Sequence, residues 1–325
     1  EYPHRRSPSV ISWVPDAELP GYQQFSIPLP GARTYPGEPE HEAVATLVRH
    51  AGPASSRAVL YVHGWSDYFF QTHLAEAVES WGYDFYALDL RRYGRALRDG
   101  QLAGYTADLG EYHQELDAAV EVIRDEGHDH LVLLGHSTGG LVVSLFVSDR
   151  PGVADAVVLN SPWLELQSHQ AWRPALAAAF GAVGTLSRAL PLPDPGFYRR
   201  SISADEEGEW HYNHNLKGDP AFLPRVGWMS AVMRGHAAVA AGLGIEIPVL
   251  MLISARSDPS RTWNDDMHRA DLALDVDALA ARAPQLGDHV TLIRIHGGRH
   301  DLALSQEEPR RRFLDEVRRW LSTYG

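Results

Sequence analysis

Short runs of consecutive apolar residues alternate along this chain with longer stretches whose apolar positions recur every three or four residues. The runs are 58–62 (AVLYV), 84–90 (DFYALDL), 131–134 (LVLL), 156–159 (AVVL), 247–254 (IPVLMLIS) and 290–295 (VTLIRI). Apolar throughout, they read as strands buried on both faces. Helical spacing predicts helices over 72–81 (closed by Gly82), 108–124, the stretch LVVSLFVSD after 135–139, 276–282, and 309–321 with Pro309 near its start. Residues 42–50 alternate well enough for an edge strand, and a Pro-, Gly- and aromatic-rich arm over 1–40 holds one strand near 22–27. From 163 to 244 no strand-like run occurs, and prolines and aromatics are dense.

Strands that are apolar throughout and alternate with helices imply an α/β fold. The expected architecture is a mostly parallel central sheet covered by helices on both faces. Residues 163–244 then form a cap inserted over the carboxyl ends of the strands, dividing the core into 1–162 and 245–325. With 325 residues, 44% hydrophobic and 22% charged, the chain is ordinary for a globular protein of one domain plus an insertion. Its formal charge of −13 argues against nucleic acid and anionic membrane surfaces as partners. The absence of cysteine excludes disulfides, thiolate metal sites and a cysteine nucleophile. No apolar run reaches the length of a membrane span, and EYPHRRSPSVISW has no signal-like apolar core, so a cytoplasmic location is the expectation.

One strand-to-helix transition carries chemistry. Residues 130–141 read HLVLLGHSTGGL, which places the G-x-S-x-G string Gly135-His136-Ser137-Thr138-Gly139 between a buried run and a helical pattern. Such a string arises by chance in roughly one shuffled chain of six, so the flanking strand and helix carry the argument. A serine there sits in a strained turn, and glycines two positions before and after it remove side chains that would collide. The turn exposes Oγ of Ser137, and the helix N-terminus beneath it favours developing negative charge.

A serine nucleophile needs a base to take its proton and an acid to orient that base. In the elbow arrangement the chain order is serine, acid, histidine. Of the 17 histidines, His289 and His296 sit at strand ends, whereas His300 lies on a loop that follows a strand and Gly297-Gly298. His300 is therefore the expected base. Two aspartates compete for the acid: Asp258, four residues past a strand in ARSDPS, and Asp271, in ADLALDVDAL. Asp265, Asp266, Asp275 and Asp277 read as solvated charges or helix caps. The turn His63-Gly64-Trp65 supplies a backbone N–H that, with that of Thr138, would form an oxyanion hole. Because the donors are backbone groups, the Trp65 side chain is free to line a pocket. The histidines show no H-E-x-x-H or comparable spacing, so neither metal nor organic cofactor is expected.

The segments YVHGWSDY, DLRRYGRA, LLGHSTGG, PVLMLISARSD and IHGGRHDLALS are distributed within residues 57–321. On these the chain resembles the α/β-hydrolase superfamily, and within it the monoacylglycerol lipase and lysophospholipase-like hydrolases, also grouped as serine aminopeptidase-like. The resemblance implies an α/β-hydrolase fold, Ser137 as nucleophile, His300 as base, an intervening aspartate, and oxyanion donors at Trp65 and Thr138. DLRRYGRA ends in Ala where the family's D-x-R-G-x-G-x-S often has Ser. The family usually reaches its acid directly after the strand; here ARSDPSRTWNDDMHRAD looks like that turn with an insertion. ADLALDVD (residues 270–277) looks like the family's A-D-x-x-x-D turn leading into a helix. Asp271 precedes His300 by 29 residues and Asp258 by 42, and the shorter separation is usual in the resembling family. The resemblance therefore favours Asp271, with 256–269 as an inserted rim and Asp258 as a solvated or capping residue.

The leading functional expectation is a serine hydrolase cleaving a carboxylic ester through an acyl-enzyme. Its partner is a small-molecule ester with an apolar or aromatic group. The insertion carries Trp163, Trp172, Phe180, Phe197, Tyr198, Trp210, Tyr212, Phe222 and Trp228, some forming its own small core and the rest lining an apolar pocket. The same triad would serve an amide or thioester hydrolase or an acyltransferase. A hydrolase-like fold used only for binding is the alternative from another class, against which an intact Ser137 and His300 speak. Dehalogenases and epoxide hydrolases of this fold need an aspartate at the nucleophile position, which Ser137 excludes.

Overall fold

Alternate residues of each apolar run belong to opposite faces of one sheet. In β4 (Arg57–Val62) Ala58, Leu60 and Val62 enter one core cluster while Val59 and Tyr61 enter a second. In β6 (His130–His136) Leu131 and Leu133 are separated from Val132 and Leu134 in the same way. This period of two, with no polar face, obliges helices to cover both sides. Each such valine or leucine side chain, fully buried, contributes about 1.5–3 kcal/mol relative to exposure. The structure, a computed structural model, describes residues 12–40, 42–50, 52–166 and 196–325.

The remaining strands are β1 (Val14–Pro15), β2 (Gln23–Pro28), β3 (Val44–Arg49), β5 (Asp84–Asp89), β7 (Ala156–Asn160), β8 (Val249–Ser254) and β9 (Val290–Ile295). They form a nine-stranded sheet in the order β1-β2-β3-β5-β4-β6-β7-β8-β9. Neighbours from β5 to β9 are parallel, and β1, β2 and β3 are antiparallel to theirs. Helices α2 (His113–Asp125), α3 (Thr138–Asp149), α6 (Val226–Ala241) and α7 (Val276–Ala280) pack on one face, and α1 (Thr72–Ser80) and α8 (Glu307–Tyr324) on the other. The stripe of α2 buries Leu116, Ala119 and Ile123, and that of α8 buries Phe313, Val317 and Leu321. Among the described residues, two short helices, α4 (Phe197–Ile202) and α5 (His214–Lys217), lie between β7 and α6 in sequence.

Four details differ from the pattern-based expectation. The strand over 42–50 is not an edge: β3 lies between β2 and β5, and the N-terminal stretch contributes two strands beyond it. β9 is the true edge on the far side, where Leu292 is 37% exposed despite an apolar run. The helix expected over 108–124 begins as a 3₁₀ turn (Leu109–Tyr112) whose first N–H groups include that of Gly110, donated to the Asp108 carboxylate. Inside the aromatic-rich stretch, α6 is a regular 16-residue helix. Val226, Trp228, Met229, Val232 and Val239 are buried, so no narrow apolar stripe marks it as amphipathic.

β4 and β6 are neighbours in the sheet although β5 lies between them in sequence. The chain leaves β4 to one side and passes to β6 on the other, which opens a crevice beyond their carboxyl ends. Pairing of Val62 with Gly135 and of His136 with Asn160 sets the turns after β4, β6 and β7 side by side at that crevice.

Candidate active site

Ser137 occupies φ 52°, ψ −119° between β6 and α3, a backbone conformation that side chains rarely adopt. Close approach explains the flanking glycines. A Cβ on Gly135 would stand 2.7 Å from the Gly139 carbonyl oxygen, and one on Gly139 would overlap the carbonyl oxygens of Val62 and His63. The Ser137 N–H donates to the Asn160 carbonyl at 3.1 Å, and its own carbonyl accepts from Trp163 N–H at 2.9 Å. These bonds fix the strained turn to the end of β7.

Oγ of Ser137 lies 3.0 Å from Nε2 of His300, and Nδ1 of His300 lies 2.8 Å from Oδ2 of Asp271. All three residues are buried. The other oxygen of Asp271 accepts the N–H groups of Ala273 at 2.8 Å and Leu274 at 2.7 Å. With the carboxylate held this way, Nδ1–H donates to Asp271, leaving Nε2 to accept from Ser137. Asp258 stands outside this chain of bonds. Its N–H donates to the Asp271 carbonyl at 3.0 Å, but its side chain caps a local turn by accepting from Ser260 N–H at 2.9 Å. Hydrogen bonding from Ser260 holds the Asp258 carboxyl below its usual range.

The turn after β4 touches the nucleophile. A Cβ on Gly64 would stand 3.0 Å from Cβ of Ser137. His63 braces the turn: its Nε2 accepts the Leu90 N–H at 3.1 Å, so its Nδ1–H donates to the Gly64 carbonyl at 2.8 Å. Among the described residues, the N–H groups of Trp65 and Thr138 donate to no protein acceptor. The Trp65 indole packs against that of Trp228, tilted by 39° with ring centroids 3.8 Å apart, and meets Phe222 edge-on at 6.1 Å.

The aromatics of 163–244 divide. Trp163 packs on Trp228 at 5.8 Å, and Tyr198 meets the His300 ring edge-on at 5.4 Å. Trp210 instead donates from Nε1 to the Leu304 carbonyl and joins Tyr212 around a satellite cluster with Tyr68 and Phe70. Phe197 packs on Trp263. Trp172 and Phe180 lie outside the described residues.

Sequence patterning missed the polar network beneath His300. Asp301 is buried and accepts from Asn160 Nδ2 at 2.7 Å, Gln71 Nε2 at 3.1 Å and Ala303 N–H at 3.0 Å. Burial works to raise its pKa, but the neighbouring His136 and these hydrogen bonds outweigh burial and hold it below the usual carboxylate value. Oδ1 of Asn160 accepts the Leu302 N–H at 3.1 Å, so one asparagine ties the end of β7 to the His300 loop. Burial lowers the pKa of His136, which donates from Nδ1 to the Asn160 carbonyl at 3.1 Å. The available signal was an aspartate directly after the histidine of IHGGRHD. Among the described residues no group of three or more histidine, aspartate and glutamate side chains is arranged to hold a metal ion, and no helix is long and apolar enough to cross a membrane.

Comparison with known proteins agrees with this architecture. Residues 53–307 match the family described as serine aminopeptidase, S33. The monoacylglycerol lipase of Mycolicibacterium smegmatis is 26% identical over 273 residues, covering 82% of this chain and 88% of that protein. Lysophospholipase L2 of Escherichia coli is 25% identical over 213 residues, 58% of each. The crystal structure of Paleococcus ferrophilus monoacylglycerol lipase, 20% identical, superposes with a TM-score of 0.61 over 88% of this chain and 100% of that one. The fold is that of an α/β-hydrolase.

Proposed function

The chain belongs to the serine aminopeptidase S33 family and is a serine hydrolase, and we propose that it cleaves a carboxylic ester through a Ser137-His300-Asp271 triad. The observation that carries the triad is the continuous chain of two hydrogen bonds, 3.0 and 2.8 Å, from Ser137 through His300 to Asp271. In the acylation half, Oγ of Ser137 attacks the ester carbonyl carbon while Nε2 of His300 takes its proton. The carbonyl electrons move onto oxygen, where the N–H groups of Trp65 and Thr138 receive the charge. The C–O bond to the alcohol then breaks, and His300 returns the proton to the departing oxygen. Water, deprotonated by His300, attacks the acyl-enzyme, and collapse releases the acid and restores Ser137. Asp271 holds the ring tautomer and balances the imidazolium formed twice per cycle.

The substrate class in this reading is a lipid-like or aromatic acyl ester. The aromatic surroundings of Trp65 support it, as do relatives named as a monoacylglycerol lipase and a lysophospholipase. Residues 163–244 act as the cap that shapes the acyl pocket, between core segments 1–162 and 245–325. A cytoplasmic location belongs to the same proposal, and cell fractionation tests it. A fluorophosphonate should label Ser137 stoichiometrically. A p-nitrophenyl ester series of graded chain length, run beside an amide and a thioester, should give the highest kcat/KM for an ester. Failure of Ser137 to label, or preference for the amide or thioester, counts against the proposal.

A further inference from the structure

The chain's 29 Lys and Arg side chains include a single lysine, Lys217 at the end of α5. Several other buried carboxylates are taken by arginine forks: Glu115 by Arg91, Glu38 by Arg92, and Asp16 and Asp89 by Arg95. Lys217 instead sets its ammonium 2.6 Å from Oδ1 of Asp67, with the two side chains 10% and 6% exposed. The ammonium also lies 5.0 Å from the Phe70 ring and 5.3 Å from that of Tyr212. The ammonium is thus held between one carboxylate and two ring faces.

Asp67 is two residues past Trp65 and closes the turn that touches Ser137. Between them, Ser66 has φ 49°, a left-handed conformation that persists in a non-glycine residue only when its surroundings hold it. Those surroundings come from the inserted segment. Oγ of Ser66 donates to the Lys217 carbonyl at 2.9 Å and accepts the Phe222 N–H at 3.0 Å. One side of the turn is therefore braced by His63 and the core, and the other is clasped by residues 217–222.

We propose that Lys217 and Asp67 are positioning residues: their buried pair holds the inserted segment on the oxyanion turn and so fixes the Trp65 N–H against Ser137. The proposal rests on the oxyanion role given to Trp65 above. Through it, the insertion contributes to turnover as well as to substrate selection.

Stability and turnover separate this role from a merely structural one. In Lys217→Met the buried Asp67 is orphaned, so both the melting midpoint and kcat for p-nitrophenyl butyrate should fall. In the double variant Asp67→Asn/Lys217→Met no charge is left unpaired, and most of the midpoint should return. Its kcat should nonetheless stay about ten- to a hundredfold low, because the turn is no longer held. KM should stay within about threefold of wild type, and affinity for a trifluoromethyl ketone, which forms the tetrahedral adduct, should fall in step with kcat/KM. A double variant that regains kcat together with its midpoint, or one altered only in KM, overturns the proposal. Should the double variant not fold, Lys217→Met and Lys217→Arg are compared: kcat lowered in Lys217→Met and regained in Lys217→Arg, which restores the pair, supports the clasp, and full kcat in Lys217→Met overturns it. Fluorophosphonate labelling of the wild type runs alongside. Absence of label at Ser137 overturns the triad reading and the clasp with it, whereas normal labelling with full kcat in the variants overturns the clasp alone.

Discussion

Nδ1 of His300 and Oδ2 of Asp271 stand 2.8 Å apart, while the second oxygen of that carboxylate is taken by the N–H groups of Ala273 and Leu274. Both oxygens are thus committed, which fixes the carboxylate and, through it, the orientation of the imidazole. Asp258 reaches the same region only through its backbone.

Removing the orienting carboxylate should therefore separate the two aspartates. Asp271→Asn should lower kcat about ten-thousand-fold, since His300 loses its tautomer and its charge partner. Asp258→Asn should turn over nearly as wild type, because only a local cap is weakened. Steady-state kinetics on one ester checks both, and collapse in Asp258→Asn with normal turnover in Asp271→Asn would reverse the assignment.

The buried Asp301 makes a pH-dependent contribution to stability. Its folded pKa lies below the ordinary value of 3.8 despite burial, so the folded state favours the ionised form. A depressed folded pKa gives stability that is fully present above the unfolded value and is lost as pH falls through the folded one. Asp301→Asn should accordingly have a lower melting midpoint than wild type at neutral pH and a shallower decline below about pH 4. Parallel midpoint curves for the two proteins would exclude this role.

Trp228 packs on Trp65 beside the turn after β4, with its ring nearly fully buried. Trp228→Ala should cost about 3–5 kcal/mol in stability through the cavity it leaves. It should also shift the chain-length profile of kcat/KM toward longer acyl groups while short activated esters are still cleaved. An unchanged profile in this variant and in Trp163→Ala would show that these rings support the fold without lining the acyl path.

How far the sequence was legible follows from the range of the interactions. The inner strands could be placed because a run buried on both faces is apolar at every position, a property local to five or six residues. β3 looked like an edge because it carries Thr46 and Arg49. In the fold Arg49 is neutralised by Glu126 at 2.6 Å and stacked on Trp13 at 4.0 Å, partners far from it in sequence. The Ser137 elbow was visible because its steric demands fall on glycines within two residues. The base and the acid needed spacing and family resemblance, since nothing local distinguishes Asp271 from Asp258. Asp301 with Asn160 and Gln71, and Asp67 with Lys217, join residues 141, 230 and 150 positions apart, so no pattern along the chain announces them.

The most direct test of the Ser137-His300-Asp271 triad is the turnover of Ser137→Ala on an ester that the wild type cleaves. Alanine removes only Oγ from a turn held by backbone hydrogen bonds, so the variant should fold with a near-normal melting midpoint. Loss of the nucleophile should lower kcat by about a million-fold. A folded Ser137→Ala protein that keeps more than about a hundredth of the wild-type rate would rule out Ser137 as the nucleophile.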